Sequence, residues 1–215
     1  MQKTNTNKRE IFIILIIVLI LSIILFFFIK NNYKNKIFGN NMSNKNIEEI
    51  EEYILNISSY EAKIEVTVES NRNTNKYILE QLYQKNKISK QTILEPNNIA
   101  GLETKYENGT LTINNSKLNL TTVYENYNYL VENCLWLDSF IQDYIEGKNK
   151  NEAKIIQEND VITMETKTRN ENNRYIYSKK LTIDKKTGKP TKLLVQDMNQ
   201  KNLIYILYTE ITVNG

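Results

Sequence analysis

The chain contains no histidine and a single cysteine, Cys134. The first absence excludes histidine-based triads, and the second leaves no internal disulfide and no CxxC redox pair. Together they exclude Cys/His zinc sites. Carboxylate, lysine and tyrosine chemistry stay open. Alanine is scarce as well, three residues against 32 asparagines, a bias that reports an AT-rich genome sooner than a function. Sequon-like triplets such as Asn56-Ile57-Ser58 follow from that excess and carry no weight. A cationic domain is also missing. The net charge is +3, of which residues 1–29 contribute +2 and Lys30, Lys34, Lys36 and Lys45 a further +4, leaving −3 for residues 46–215. Nucleic acid is therefore excluded as a partner class.

What the sequence has in abundance is one apolar run. Residues 11–29, "IFIILIIVLILSIILFFFI", contain one polar member, Ser22. As a helix they span roughly 28 Å, close to the hydrocarbon thickness of a bilayer. No small-residue cleavage site follows, so the run is expected to stay as a membrane anchor. Residues 1–10 are expected to form a cytoplasmic tail, and residues 30–45 a flexible tether reaching about 22 Å. Residues 46–215 are then a single extracytoplasmic domain on a single-pass protein of the cell membrane.

The domain opens on a helix. Asn46 suits an N-cap, Ile47, Ile50, Ile54 and Ile57 share a face, and Glu48, Glu49, Glu51 and Glu52 load the N-terminal turns. Those acids are expected to be a solvated helix face, not a metal site. The period then changes to two. In "AKIEVTVES" Ile64, Val66 and Val68 alternate with polar residues, the mark of a half-buried strand. Extended runs follow over 76–84 and 87–94, a hairpin turns on Asn108-Gly109, and residues 117–124 continue the pattern. Leu137, Phe140, Ile141 and Tyr144 predict a second helix, with Gly147 just past its end. Runs at 153–157, 161–168, 174–183, 191–197 and 203–213 bring the total to about ten strands. Such a series reads as one large antiparallel sheet, wet on one side, with scant helical cover and an apolar concavity.

The pattern resembles the LolA/LolB/RseB-like superfamily of extracytoplasmic proteins. Within it the chain is most similar to the clostridial spore germination lipoproteins of the GerS type, over roughly residues 46–213. The residues that carry the resemblance are Pro96, Gly101, Asn108-Gly109, Phe140, Asp184, Gly188, Pro190 and Asp197. The resemblance implies an α+β, mainly β fold: a curved half-barrel sheet packed on a few helices, with no catalysis of its own. Members carry acylated lipoproteins, sense envelope stress, or bind and support a cortex-modifying amidase. The chain departs from the lipoprotein members in having no lipobox, the transmembrane run taking the place of the lipid anchor.

No catalytic, metal or cofactor-binding residue is expected. Trp136, Phe140 and Tyr144 are candidate groove-lining residues, with ordinary core packing as the competing expectation. Cys134 is expected to be a buried small hydrophobe. Asp138 and Asp143 lie near one another on the second helix and mimic a carboxylate pair. The lysine-rich stretch 184–202 is expected to be turn and strand edge: Gly188 supplies a positive φ, and Pro190 starts a strand. The function these features favour is a non-catalytic, membrane-anchored binding or scaffold protein in sporulation, germination or cortex assembly. Its partner would be a protein such as a cell-wall amidase. The alternative is a lipid or lipoprotein carrier, or an envelope sensor, that holds an acyl chain in the concavity. A carboxylate-dependent glycan hydrolase would need two acids about 5–9 Å apart in a cleft.

Overall fold

The computed structural model describes residues 45–70, 72–127, 133–169 and 173–214. The tail, the apolar run 11–29 and the tether apart from Lys45 lie outside the described residues. No helix among the described residues is long and apolar enough to cross a membrane.

Helix α1 (Ile47–Leu55) starts where Asn46 and Glu49 form a capping box. The Asn46 side chain accepts from the Glu49 amide at 2.8 Å, and the Glu49 carboxylate accepts from the Asn46 amide at 3.0 Å. Two otherwise orphaned donors are satisfied in this way. The helix buries Ile50, Tyr53 and Ile54.

Six strands follow: β1 (Ser59–Glu69), β2 (Thr74–Gln84), β3 (Ile88–Glu95), β4 (Leu102–Glu107), β5 (Thr110–Asn115) and β6 (Leu120–Tyr124). Helix α2 (Leu137–Asn149) comes next. Then come β7 (Lys154–Glu158), β8 (Val161–Lys167), β9 (Ser178–Asp184), β10 (Pro190–Gln196) and β11 (Asn202–Asn214). All eleven belong to one antiparallel sheet in the order β6-β5-β4-β3-β2-β1-β11-β10-β9-β8-β7. The chain therefore starts at the middle of the sheet and meanders to one edge. It re-enters at the opposite edge after α2 and meanders back to the middle. Among the described residues the sheet is open, with β6 and β7 as its edges. β6 is exposed at every residue, and Leu120, Val123 and Tyr124 stand on it.

Alternation decides what each strand buries. β1 turns Tyr60, Ala62, Ile64 and Val66 inward. β8 does the same with Ile162 and Met164, and β9 with Leu181 and Ile183. These side chains meet Trp136, Leu137, Phe140, Ile141 and Tyr144 of the α2 region in one core. Each fully buried large aliphatic residue contributes roughly 1.5–3 kcal/mol of transfer free energy.

Turn chemistry explains the connections. Asn108 (φ 51°) and Gly109 (φ 77°) both take the left-handed conformation that a two-residue hairpin turn requires. Among the described residues, six of the seven non-glycine positions with positive φ are asparagines. The asparagine excess thus has a structural use, because its short amide side chain tolerates this region better than other residues do. In the stretch 184–190, Asp184 Oδ1 accepts from the Thr187 amide at 2.7 Å and from its hydroxyl at 2.9 Å. Gly188 has φ 67°, and Pro190 begins β10.

Several boundaries differ from expectation, and two of them have a readable cause. β9 begins at Ser178 and not at 174, because Asn173 Oδ1 gathers the amides of Tyr175 and Ile176 into a turn. Gly147 does not follow the end of α2 but lies buried inside it. A methyl group there would overlap Thr166 Oγ1 on β8. The glycine is set by close helix–sheet approach, not by helix termination.

Candidate binding cleft

Helix α2 lies so close to the sheet that its flanks are buried along with its apolar stripe. Asp138, Ser139 and Asp143 are all buried. Buried charges need partners, and Asp143 has two. Its Oδ2 accepts from Lys179 Nζ at 2.7 Å, and its Oδ1 accepts from Arg169 Nε at 2.7 Å and from the Arg169 amide at 3.2 Å. Lys179 also donates to Ser139 Oγ at 2.8 Å. The Asp143 and Lys179 side chains are only 4% and 2% exposed, so this is a genuinely interior pair. Lys179 sits inward because it shares strand parity with Leu181 and Ile183. That parity was visible in "SKKLTID" and marks Lys179, not Lys180, as the buried lysine.

A second polar chain crosses the other arm of the sheet. Tyr60 accepts from the Leu137 amide at 3.2 Å and donates to Gln81 Oε1 at 3.4 Å. Gln81 Nε2 then donates to Gln91 Oε1 at 2.9 Å and to the Leu135 carbonyl at 3.3 Å. Tyr60, Tyr83 and Trp136 pack around this chain with ring centroids 5.3 to 6.4 Å apart. These contacts fix where α2 enters.

Between α2 and the turns at one end of that arm opens a cleft of about 490 Å³. Asp138 and Gln142 of α2, Tyr83, Ser89 and Tyr106 of the strands, and Arg169 after β8 form its walls. Exposed Lys85 and Lys87 stand on its rim. Burial, and then a hydrogen bond to Asp138, push the Tyr83 hydroxyl well above its ordinary value. It therefore stays a neutral donor. The cleft offers donors and one acceptor carboxylate. Asp138 is the one acid among its described lining residues.

Trp136, Phe140 and Tyr144 are placed between α2 and the sheet, each at most 1% exposed, and none lines the cleft. The apolar face of the sheet is occupied there by the chain's own helix. Tyr144 donates to Glu51 Oε1 at 2.7 Å, and Lys148 Nζ is 2.8 Å from Glu51 Oε2. One of the four acids of α1 is therefore a brace to α2 and not a solvated surface group. Asp138 and Asp143 do not form a pair. Five positions apart, they diverge by roughly 140° around the helix, one toward Tyr83 and the other toward Lys179. Cys134 is half-buried, not the fully buried residue expected, and the burial it has pushes its thiol up. Among the described residues no group of three or more His, Cys, Asp or Glu is placed to hold a metal ion. Lys85, Asp138 and Arg169 come from distant parts of the chain, and no sequence motif joins them.

No curated protein matches the chain. Similar solved structures include that of the CwlD amidase from Clostridioides difficile in complex with the GerS lipoprotein. A chain of that structure is 20% identical with a TM-score of 0.47, the match covering 98% of both chains. A LolA superfamily protein from Nitrosomonas europaea is 11% identical, with 78% of this chain and 93% of that chain covered and a TM-score of 0.41. A chain of the Pseudomonas aeruginosa MucA/MucB complex is 12% identical, with 79% and 56% covered and a TM-score of 0.41. Over residues 8–215 the chain matches the family of YdcC-like sporulation proteins, and it belongs to that family.

Proposed function

We propose that the protein is a non-catalytic, membrane-anchored scaffold of sporulation, acting on the extracytoplasmic side through a protein partner. The observation that carries this reading is the family match, which starts at residue 8 and so takes in the apolar run as well as the sheet. The run itself supports single-pass anchoring, since 19 residues with one polar member suit a bilayer. The likeness in sequence to the GerS type supports a cortex-modifying amidase as the kind of partner, and a curved half-barrel as the finer form of the sheet. The donor-rich cleft supports binding, because two of its groups, Tyr83 and Arg169, are held by Asp138 and Asp143 before any ligand arrives.

The test is a deletion strain scored for heat-resistant spores and for germination, with the tagged full-length protein crosslinked in sporulating cells. The expected result is loss of germination or cortex processing, together with one enriched cell-wall enzyme. Carbonate extraction should leave the protein in the membrane, and externally added protease should remove its domain. Normal spores and germination in the deletion strain, with no crosslinked partner, would sink the proposal.

A further inference from the structure

Residues 46–215 carry a net charge of −3, yet the cleft has the opposite sign. Lys85, Lys87 and Arg169 face it against Asp138 alone. Arg169 is more than a surface cation. Its Nε and its backbone amide both hold Asp143 Oδ1, and that carboxylate is in turn held by buried Lys179. The guanidinium is thereby fixed along one edge while its side chain remains 26% exposed. A planar fork fixed in this way suits a carboxylate, which it can bind through two parallel N–H groups.

Asp138 narrows the choice further. A compact dianion such as phosphate would be repelled by a carboxylate in the same cleft. A peptide bearing an acidic side chain brings an acceptor for Arg169 and backbone N–H donors for Asp138. Ser89, 2% exposed, and Gln142 add hydroxyl and amide groups that suit a peptide backbone, and Tyr83 and Tyr106 supply aromatic walls. We infer that this cleft, braced by the Lys179–Asp143–Arg169 network, is the docking site for an acidic peptide segment of the protein's partner. The inference rests on the proposal that the protein works through a protein partner, and it adds the chemistry by which that partner is recognised.

The test uses the full-length protein in detergent micelles and fluorescence anisotropy. The probe is a fluorescein-labelled hexapeptide of glutamate and aspartate flanked by glycine and amidated at its C-terminus. Its counterpart carries glutamine and asparagine instead. The acidic peptide should bind saturably, and the neutral one at least tenfold more weakly. Lys85→Gln/Lys87→Gln, two exposed changes remote from the buried network, should weaken acidic binding about tenfold, as should Arg169→Gln. Lys201→Gln, an exposed lysine outside the cleft, should stay within twofold. Should Arg169→Gln fail to fold, the double lysine variant decides. Failure of the acidic peptide to bind, equal binding of the two peptides, an equal loss with Lys201→Gln, or tighter competition by inorganic phosphate than by unlabelled acidic peptide would each overturn the inference. A sporulation defect in the deletion strain would survive any of these results, so the two ideas fail separately.

Discussion

Replacing Gly147 by alanine tests the closest contact in the fold. The added methyl group points at Thr166 Oγ1, and Ala153 Cβ lies 3.3 Å away, so it has no free volume to enter. Overpacking of this kind costs about 1–3 kcal/mol. Turning Thr166 aside also breaks its bonds to the carbonyls of Asp143 and Lys167, at 3.3 and 3.0 Å, adding about 1 kcal/mol. Against this, alanine gains about 1 kcal/mol over glycine inside a helix. The net destabilisation is therefore about 1–3 kcal/mol. In a Thr166→Ala background the obstructing oxygen is gone, and Gly147→Ala should be neutral or mildly stabilising. The protein supplies its own probe: Trp136 is its single tryptophan, fully buried beside α2, and its fluorescence follows urea unfolding. A double-mutant cycle should give a coupling of about 1–4 kcal/mol. If Gly147→Ala costs the same in both backgrounds, the steric account is wrong.

Lys179→Met should destabilise by about 3–5 kcal/mol, since it leaves buried Asp143 short of a cation, while Lys179→Met/Asp143→Leu should recover most of the loss; equal costs in the same unfolding assay would refute the pairing. Burial works against the Glu165 carboxylate, but hydrogen bonds from Lys154 and Lys180 outweigh it and hold the carboxyl below its ordinary value. The stability this provides is complete above the ordinary glutamate range and is lost as pH falls through the lowered value. The stability difference between wild type and Glu165→Gln should therefore shrink on acidification, and a constant difference across that range would count against the ion pairs. Because burial raises the Cys134 thiol, alkylation of the native protein by iodoacetamide near pH 8 should be much slower than in urea, and equal rates would contradict it.

The local rules of the fold were legible where one stretch of chain decides its own conformation. The capping box at Asn46, the alternation of β1, the Asn108-Gly109 hairpin and the Asp184–Pro190 turn each depend on neighbours in sequence. Legibility ended where distant segments decide. Gly147 carries the local mark of a helix end, yet Thr166 on another element explains it. Strand parity marks Lys179 as the inward lysine, yet the carboxylate that pairs with it, Asp143, comes from α2. Glu51 matches its neighbours in α1 until α2 supplies Tyr144 and Lys148. The cleft was hidden for the same reason, being made of turns and a helix flank whose proximity is a product of sheet order.

That order has a consequence for how the molecule comes into being. β11 is the strand that joins the two arms, paired with β1 on one side and β10 on the other. The Ser58 hydroxyl bonds to the Asn214 carbonyl across 156 positions of sequence. During synthesis from the N-terminus, the arm of β1 to β6 is complete long before its neighbour on the other side exists. Until β11 arrives, β1 presents an unpaired edge together with Ile64 and Val66, the sort of surface on which strands of other chains add. Of the eleven described strands β11 is made last and is the one that ends this exposure, so the interval before its arrival is when the sheet is most open to wrong pairing.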